Sequence, residues 1–187
     1  QSKKMGRNNF MFYKQEMNKV VMQHVKIEKE LREAINNKEF SLFYQPVIDL
    51  STKRILGAEA LIRWHHPVLG LVGPDKFIRI AEDSELIVPI GEWIVKTAAH
   101  QAAKWNKVSK HLLKIAINIS SRQFVDNCRT IVKVLEEAFQ EARLKPGMLD
   151  VEITESLLMN GAPETIDSLQ QIREIGIGIS LDDFGTG

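Results

Sequence analysis

From Phe40 onward, segments whose apolar residues recur every second position are separated by longer segments with helical spacing, and few folds accept that alternation. FSLFYQPVIDL, RILGAEALIRW, LLKIAINIS, LDVEITES and IGISLDDF have the strand period, while residues near 75–82, 90–107, 128–143 and 163–175 have the helix period. This order predicts an α/β chain built on a mostly parallel sheet or an α/β barrel. The first two strands are the exception. Only STK stands between them, and a parallel crossover needs about a dozen residues or more, so this pair is expected to run antiparallel. A turn centred near Thr52 then sets Gln45 opposite Glu59 and Ala60. Ahead of the strands, residues 14–37 are polar with Val20, Ile27 and Ala34 seven apart and His24 and Leu31 between them, the pattern of an amphipathic linker helix with a weak heptad. Such a helix either packs on the domain that follows or pairs with a second copy of the chain as a homodimer.

A period of two sorts each strand into faces. Leu56, Ala58, Ala60, Ile62 and Trp64 oppose Gly57, Glu59, Leu61 and Arg63; Ile115, Ile117 and Ile119 oppose Ala116, Asn118 and Ser120. The same split separates Leu149, Val151 and Ile153 from Asp150, Glu152 and Thr154, and Ile177, Ile179 and Leu181 from Gly178, Ser180 and Asp182. One face is apolar and suited to meet helices. The other carries an acid or amide towards the C-terminal end of each strand, where ligand sites of α/β barrels lie.

Taken singly, Glu59, Asn118, Glu152 or Asp182 reads as a capped or hydrogen-bonded structural group. Together, three carboxylates and an amide on separate strands would repel one another or leave hydrogen bonds unmet in a dry core, so a cation is the expected reason for assembling them. Adjacent Asp182 and Asp183 send their side chains to opposite sides of an extended backbone. Asp182 is expected to bridge two cations and Asp183 to hold mainly the second. No Cys or His cluster accompanies these oxygens, which favours Mg²⁺ or Mn²⁺ over zinc.

Composition excludes other classes. The 187 residues, 44% apolar, suffice for one domain with a sizeable core and a short appendage. Twenty-five basic and 24 acidic residues leave a net charge of +1, so no overall field recruits a nucleic-acid polymer or an anionic membrane, and an anionic ligand has to be held locally. The single cysteine, Cys128, rules out internal disulfides; it reads as a semi-buried helix residue in a reducing compartment, and the expected location is the cytoplasm. No apolar run reaches the roughly 18 to 20 residues of a membrane span, which leaves open an upstream anchor in a longer parent. His65 and His66 are expected in a loop rather than at a metal, and Trp93 and Trp105 to pack on the sheet. Gly176 and Gly178 lack the downstream helix of a dinucleotide fingerprint.

Five motifs in order carry a family resemblance: Tyr44-Gln45-Pro46, Glu59-Ala60-Leu61-Ile62-Arg63-Trp64, Ile117-Asn118-Ile119-Ser120, Glu152-Ile153-Thr154-Glu155 and Asp182-Asp183-Phe184-Gly185-Thr186-Gly187. From about residue 28 onward the chain resembles the EAL domain of bacterial cyclic di-GMP phosphodiesterases. Upstream, Met5-Gly6-Arg7-Asn8-Asn9-Phe10 and Phe12-Tyr13 resemble the C-terminal tail of a GGDEF, or diguanylate cyclase-like, domain. The implied organisation is a GGDEF-like tail over 1–13, a linker helix over 14–37 and the N-terminal part of an EAL domain over 38–187. The implied fold is a partial TIM-like (β/α) barrel whose first strand is antiparallel.

The resemblance implies metal ligands at Glu59, Asn118, Glu152 and Asp182, a two-metal site completed by Asp183, and Glu155 anchoring the loop after Asp183. Gln45, Leu61 and Arg63 would contact cyclic di-GMP, Arg63 through a planar fork suited to phosphate. The implied reaction is hydrolysis of one 3′ ester to linear pGpG, dependent on Mg²⁺ or Mn²⁺. A catalytically silent cyclic di-GMP receptor is the alternative, with a scaffold that ignores the nucleotide behind it. The family's later lysine and water-activating glutamate would lie beyond Gly187, and five strands are too few to close a barrel of about eight. A fragment with an open strand edge and little turnover of its own is therefore expected.

Overall fold

The structure, a computed structural model, describes residues 15–125, 128–159 and 162–182. Helix α1 (Gln15–Asn37) leads into strands β1 (Phe40–Ile48), β2 (Ile55–His66) and β3 (Gly70–Val72). A 3₁₀ turn (Pro74–Lys76), α2 (Ile78–Asp83) and α3 (Ile87–Val108) precede β4 (Lys114–Asn118). Then come α4 (Ser121–Val125), α5 (Cys128–Glu141), β5 (Leu149–Thr154), α6 (Glu155–Met159), α7 (Pro163–Ile175) and β6 (Gly178–Asp182). The sheet order is β1-β2-β4-β5-β6, with β3 beside the end of β2; β1 and β3 run antiparallel to β2, and the other neighbours are parallel.

The antiparallel pair follows from its turn. Asp49 Oδ1 accepts hydrogen bonds from Ser51 Oγ at 2.6 Å and from the Ser51 and Thr52 amides at 2.8 Å. These bonds, the Ser51 hydroxyl first, hold the Asp49 carboxyl down at about 2. The resulting register sets Gln45 opposite Glu59, as the sequence predicts. At the start of β2, Gly57 lies so close to β4 that a Cβ there would run into the Lys114 carbonyl, so the position needs a residue without one.

The apolar faces behave as the strand period predicts. Ala58, Ala60, Ile62 and Trp64 of β2, Ile115, Ile117 and Ile119 around β4, and Leu149, Val151 and Ile153 of β5 all belong to one buried core. Ile87, Ile90, Ile94, Val95, Ala98 and Ala102 of α3 meet it with the three- and four-residue spacing of a single helix face. Leu56 at the start of β2 and Leu181 on β6 depart from the strand pattern, 49% and 46% exposed. Helix α7 starts with Pro163 and ends at Gly176 with φ 100°, the left-handed conformation that closes a helix most cheaply with glycine.

Helix α1 is seated on this core by its second half. Leu31 and Ala34 are fully buried, while Val21, Met22 and Val25 of the first half are exposed. His66 is buried; its Nδ1 accepts the Val68 and Leu69 amides at 3.0 and 3.2 Å, which places the ring proton on Nε2, 3.2 Å from Glu30 Oε2 of α1. Trp64 packs at a tilt against His66, ring centres 4.7 Å apart, and donates Nε1–H to Glu39 Oε2 at 2.9 Å, the main cause of a lowered Glu39 pKa. The histidine pair therefore ends β2 instead of lying in a loop: His66 caps the turn into β3, and His65 Nε2 meets Ser41 Oγ at 2.7 Å. Trp93 and Trp105 pack on Phe40 and Tyr44 of β1, as expected.

Gly57→Ala is predicted to destabilise the fold by about 1–3 kcal/mol or more, because the obstruction is backbone and cannot rotate away. Urea unfolding of the two proteins checks it, and equal midpoints would show that β2 and β4 do not approach this closely.

Candidate active site

The inner face of the sheet is assembled by register. Gln45 faces Glu59, Phe43 faces Leu61 and Ser41 faces Arg63 across β1 and β2. Asn118 at the end of β4 lies beside Glu152 of β5, and Thr154 at the end of β5 beside Asp182 of β6. Adjacent strands are about 4.8 Å apart, so Glu59, Asn118, Glu152 and Asp182 form a short oblique row on one face. Asn118 Nδ2 donates to Glu59 Oε1 at 2.7 Å. Glu152 feels the crowding most: burial first, then the charges of Glu59, Asp182 and Asp150, push its carboxyl up to about 7 against the opposing pull of Lys114.

One turn of the pleat below, sequence reasoning missed a second polar cluster. Asp150 is only 4% exposed, yet Lys114 Nζ pairs with its Oδ2 at 3.0 Å and Ser180 Oγ donates to the same oxygen. A Cβ on Gly178 would collide with Asp150 Oδ1, so the glycine makes room for this carboxylate. The partners come from three strands. Only the placement of Lys114, Asp150 and Ser180 on the polar face was available as a signal.

The other expected site residues divide. Leu61 is half-buried and, with Asn118, Glu152 and Thr154, lines a cleft of about 320 Å³ that continues to Pro74, Ile78 and Glu82. Arg63 is half-buried; its guanidinium carbon lies 5.5 Å from the centre of the Phe43 ring, and Nη1 donates to the Ile62 carbonyl at 2.8 Å. Gln45 is exposed on the same face. Glu155 does not end a strand as the sequence suggests; β5 stops at Thr154 and Glu155 opens α6, half-buried. Asp183 lies outside the described residues.

Among the described residues, no three Asp, Glu, His or Cys side chains converge tightly enough to hold one ion. The donor chemistry nevertheless fits a hard divalent cation. Three carboxylates and an amide share a face, one carboxylate has its charged form disfavoured by burial and then by the others, and Asn118 carries an amide oxygen that a side-chain rotation exchanges for the nitrogen now on Glu59. Positive charge placed among these groups would offset both the burial and the repulsion that raise Glu152.

A helix-backed, mostly parallel sheet with acidic groups on its inner face belongs to the class of TIM-like α/β barrels. Comparison makes this specific. The EAL domain family matches residues 28–187, and the chain belongs to that family. It is 38% identical over 186 residues to the cyclic di-GMP phosphodiesterase PdeR of Escherichia coli, covering all of this chain and 28% of that protein. With the cyclic di-GMP phosphodiesterase NbdA of Pseudomonas aeruginosa it shares 34% over 187 residues, again the whole chain and 24% of the relative. Among solved structures it is similar to the PaMucR phosphodiesterase in complex with c-di-GMP, with a TM-score of 0.81, 37% identity, and 87% of this chain and 65% of that one covered. The chain thus spans about a quarter of the length of the curated relatives it matches. No helix among the described residues is long and apolar enough to cross a membrane.

The raised Glu152 carboxyl predicts a pH dependence with a definite sign. The folded chain holds this proton up to about pH 7 and the unfolded chain only to 4.5, so the contribution to stability is full below 4.5 and lost as pH rises through 7. The midpoint of thermal unfolding should fall over that range, and Glu152→Gln should flatten the fall. Mg²⁺ should raise the midpoint more at pH 8 than at pH 5, since cation and proton compete for one carboxylate. A wild-type-to-Gln difference independent of pH would remove the charge crowding from the site.

Proposed function

We propose that the EAL domain to which these residues belong hydrolyses cyclic di-GMP to linear pGpG in a reaction that needs Mg²⁺ or Mn²⁺. The observation that carries this reading is the inner-face row of Glu59, Asn118, Glu152 and Asp182, with Glu152 disfavoured as an anion first by burial and then by its neighbours. The names of PdeR and NbdA, and the ligand of the PaMucR complex, support the substrate. A receptor has no need of a full set of cation ligands, so their presence favours the enzyme.

In this reading Glu59, Asn118, Glu152 and Asp182 would hold the first cation, and Asp182 with Asp183 the second. Two divalent cations bound there would supply a water of lowered pKa and neutralise charge on the phosphoryl oxygens. The chain's own groups orient the substrate. Arg63 presents a planar donor fork to a phosphate, and Phe43 beneath it restricts where that fork can point. Leu61 supplies an apolar wall of the cleft against base or sugar, and Gln45 offers an amide level with Glu59. Glu155, the first residue of α6, would anchor the loop after Asp183. Water oxygen adds to phosphorus, the bond to one 3′ oxygen breaks, and the proton from water ends on that oxygen. We assign residues 1–13 to the tail of a GGDEF-like domain and 14–37 to the linker helix.

Glu59→Ala in the protein that contains this domain should abolish pGpG formation while leaving the circular dichroism spectrum unchanged. Chelation of divalent metal should stop cleavage and only weaken nucleotide binding. Undiminished turnover by the variant would remove Glu59 from the mechanism, and calorimetric binding with no pGpG from the wild type at saturating Mn²⁺ would identify a receptor.

A further inference from the structure

The ladder between β2 and β4 is short. It pairs Gly57–Ala60 with Lys114–Ile117 and stops there, one residue before Asn118. Beyond that point the two strands leave the 320 Å³ cleft between them, so the backbone of Asn118 is held by a ladder only on its β5 side, through the pairing with Glu152 and the Ile119 amide on the Glu152 carbonyl at 3.1 Å. On the cleft side, among the described residues, β2 reaches the end of β4 through one side-chain bond, Asn118 Nδ2 to Glu59 Oε1 at 2.7 Å, and no backbone pairing fixes Ile119 and Ser120.

A side-chain brace takes the place of the missing ladder. Glu82 of α2 reaches across the cleft, and its Oε1 accepts the Ser120 hydroxyl at 2.6 Å. Ser120 is also the first residue of a reciprocal cap on α4. Its Oγ accepts the Arg122 amide at 3.3 Å, and Gln123 Oε1 accepts the Ser120 amide at 3.2 Å. Gln123 is buried against α3 at Gly91, where a Cβ would strike its amide, so the cap cannot shift sideways. Helix α2 is itself anchored by the buried Phe77, Ile80 and Ala81. A second link between α2 and α4, Arg122 to Asp83 at 3.3 Å, is exposed on both partners and contributes little.

We propose that Glu82 is a positioning residue of the site: through the Ser120 hydroxyl it fixes the end of β4 and thereby presents Asn118 to the cation and the cleft. This rests on the metal-dependent reading above. Glu82 touches neither a cation nor Asn118 in this account; it acts one step further out than a residue bonded directly to a ligand, whose loss costs about 10- to 100-fold in metal affinity, so its own effect belongs at the lower end of that range.

The test uses Mn²⁺ alone as the probe, its binding followed by the electron paramagnetic resonance signal of the free ion. Glu82→Ala should weaken Mn²⁺ binding by about 10-fold or more. Glu82→Gln keeps an oxygen for Ser120 and should restore most of it, and Asp83→Ala should match the wild type. If Glu82 works through Ser120, Glu82→Ala combined with Ser120→Ala should be no weaker than the worse single variant. Wild-type affinity in Glu82→Ala overturns the proposal. So does Glu82→Gln as weak as Glu82→Ala with the fold retained, which would make the carboxylate itself a ligand. Should Glu82→Ala fail to fold, Ser120→Ala against Glu82→Gln decides, since the brace requires loss only in the former. No Mn²⁺ binding by the wild type would refute the metal site itself, whereas binding indifferent to Glu82 refutes only this inference.

Discussion

Parallel pairing between β4, β5 and β6 fixes which side chains share a face, and the chemistry of the inner face depends on it. Asn118 beside Glu152 and Thr154 beside Asp182 are consequences of a single register. A slip by one residue would turn Glu152 into the helix-covered core and bring Val151 to the inner face. What prevents the slip is the other face, where Ile117, Val151 and Ile153 are almost fully buried against the helices. The apolar side of each strand therefore sets the position of the polar side. Burial first, and then the neighbouring carboxylates, oppose the arrangement by raising the pKa of Glu152.

The inner face manages its acids in two ways, and the contrast tells structural from functional groups. Asp150 has an ammonium and a hydroxyl on the same oxygen and is nearly inaccessible. That is a finished arrangement with no need of a ligand. Glu59 has an amide, and Glu152 has neighbours that mainly repel it. The less compensated acids thus lie nearer the C-terminal ends of the strands, Glu152 lining the cleft, while the balanced acid lies one pleat earlier. Native proteins seldom retain a strained group of this kind without a use for it, which is why the outer row and not Asp150 carries the functional reading.

Much of this was legible because it follows from short-range rules. The short link around STK, six residues between the ends of β1 and β2, dictates an antiparallel pair, and counting from it places Gln45 opposite Glu59. Period-two alternation sorts Glu59, Asn118, Glu152 and Asp182 from their apolar neighbours without knowledge of the fold. The missed features depend on partners distant in sequence or on short turns. His66 reads as a loop residue until the Val68 and Leu69 amides are seen to fold back on its ring. Glu155 reads as a continuation of β5, but alternation cannot distinguish the last residue of a strand from the first of a five-residue helix. Asp150 reads as an ordinary polar-face residue because Lys114 and Ser180 lie 36 and 30 residues away.

The brace across the cleft joins both kinds of information. Ser120 and Gln123 have the spacing of a capping box, so a helix start after β4 could have been read from sequence alone, yet the third member of the network, Glu82, sits 38 residues earlier on a separate helix. A strand end that lacks a neighbour would ordinarily fray, since an unpaired backbone edge exchanges its hydrogen bonds with water. Here the edge has to stay open, because a ladder continued past Ala60 and Ile117 would close the cleft beside Asn118. Side-chain bonds, Ser120 to Glu82 on one side of the opening and Asn118 to Glu59 on the other, hold the strand end and leave that space free. Side-chain bracing in place of sheet pairing is therefore the geometric condition for an open cleft at this point of the sheet.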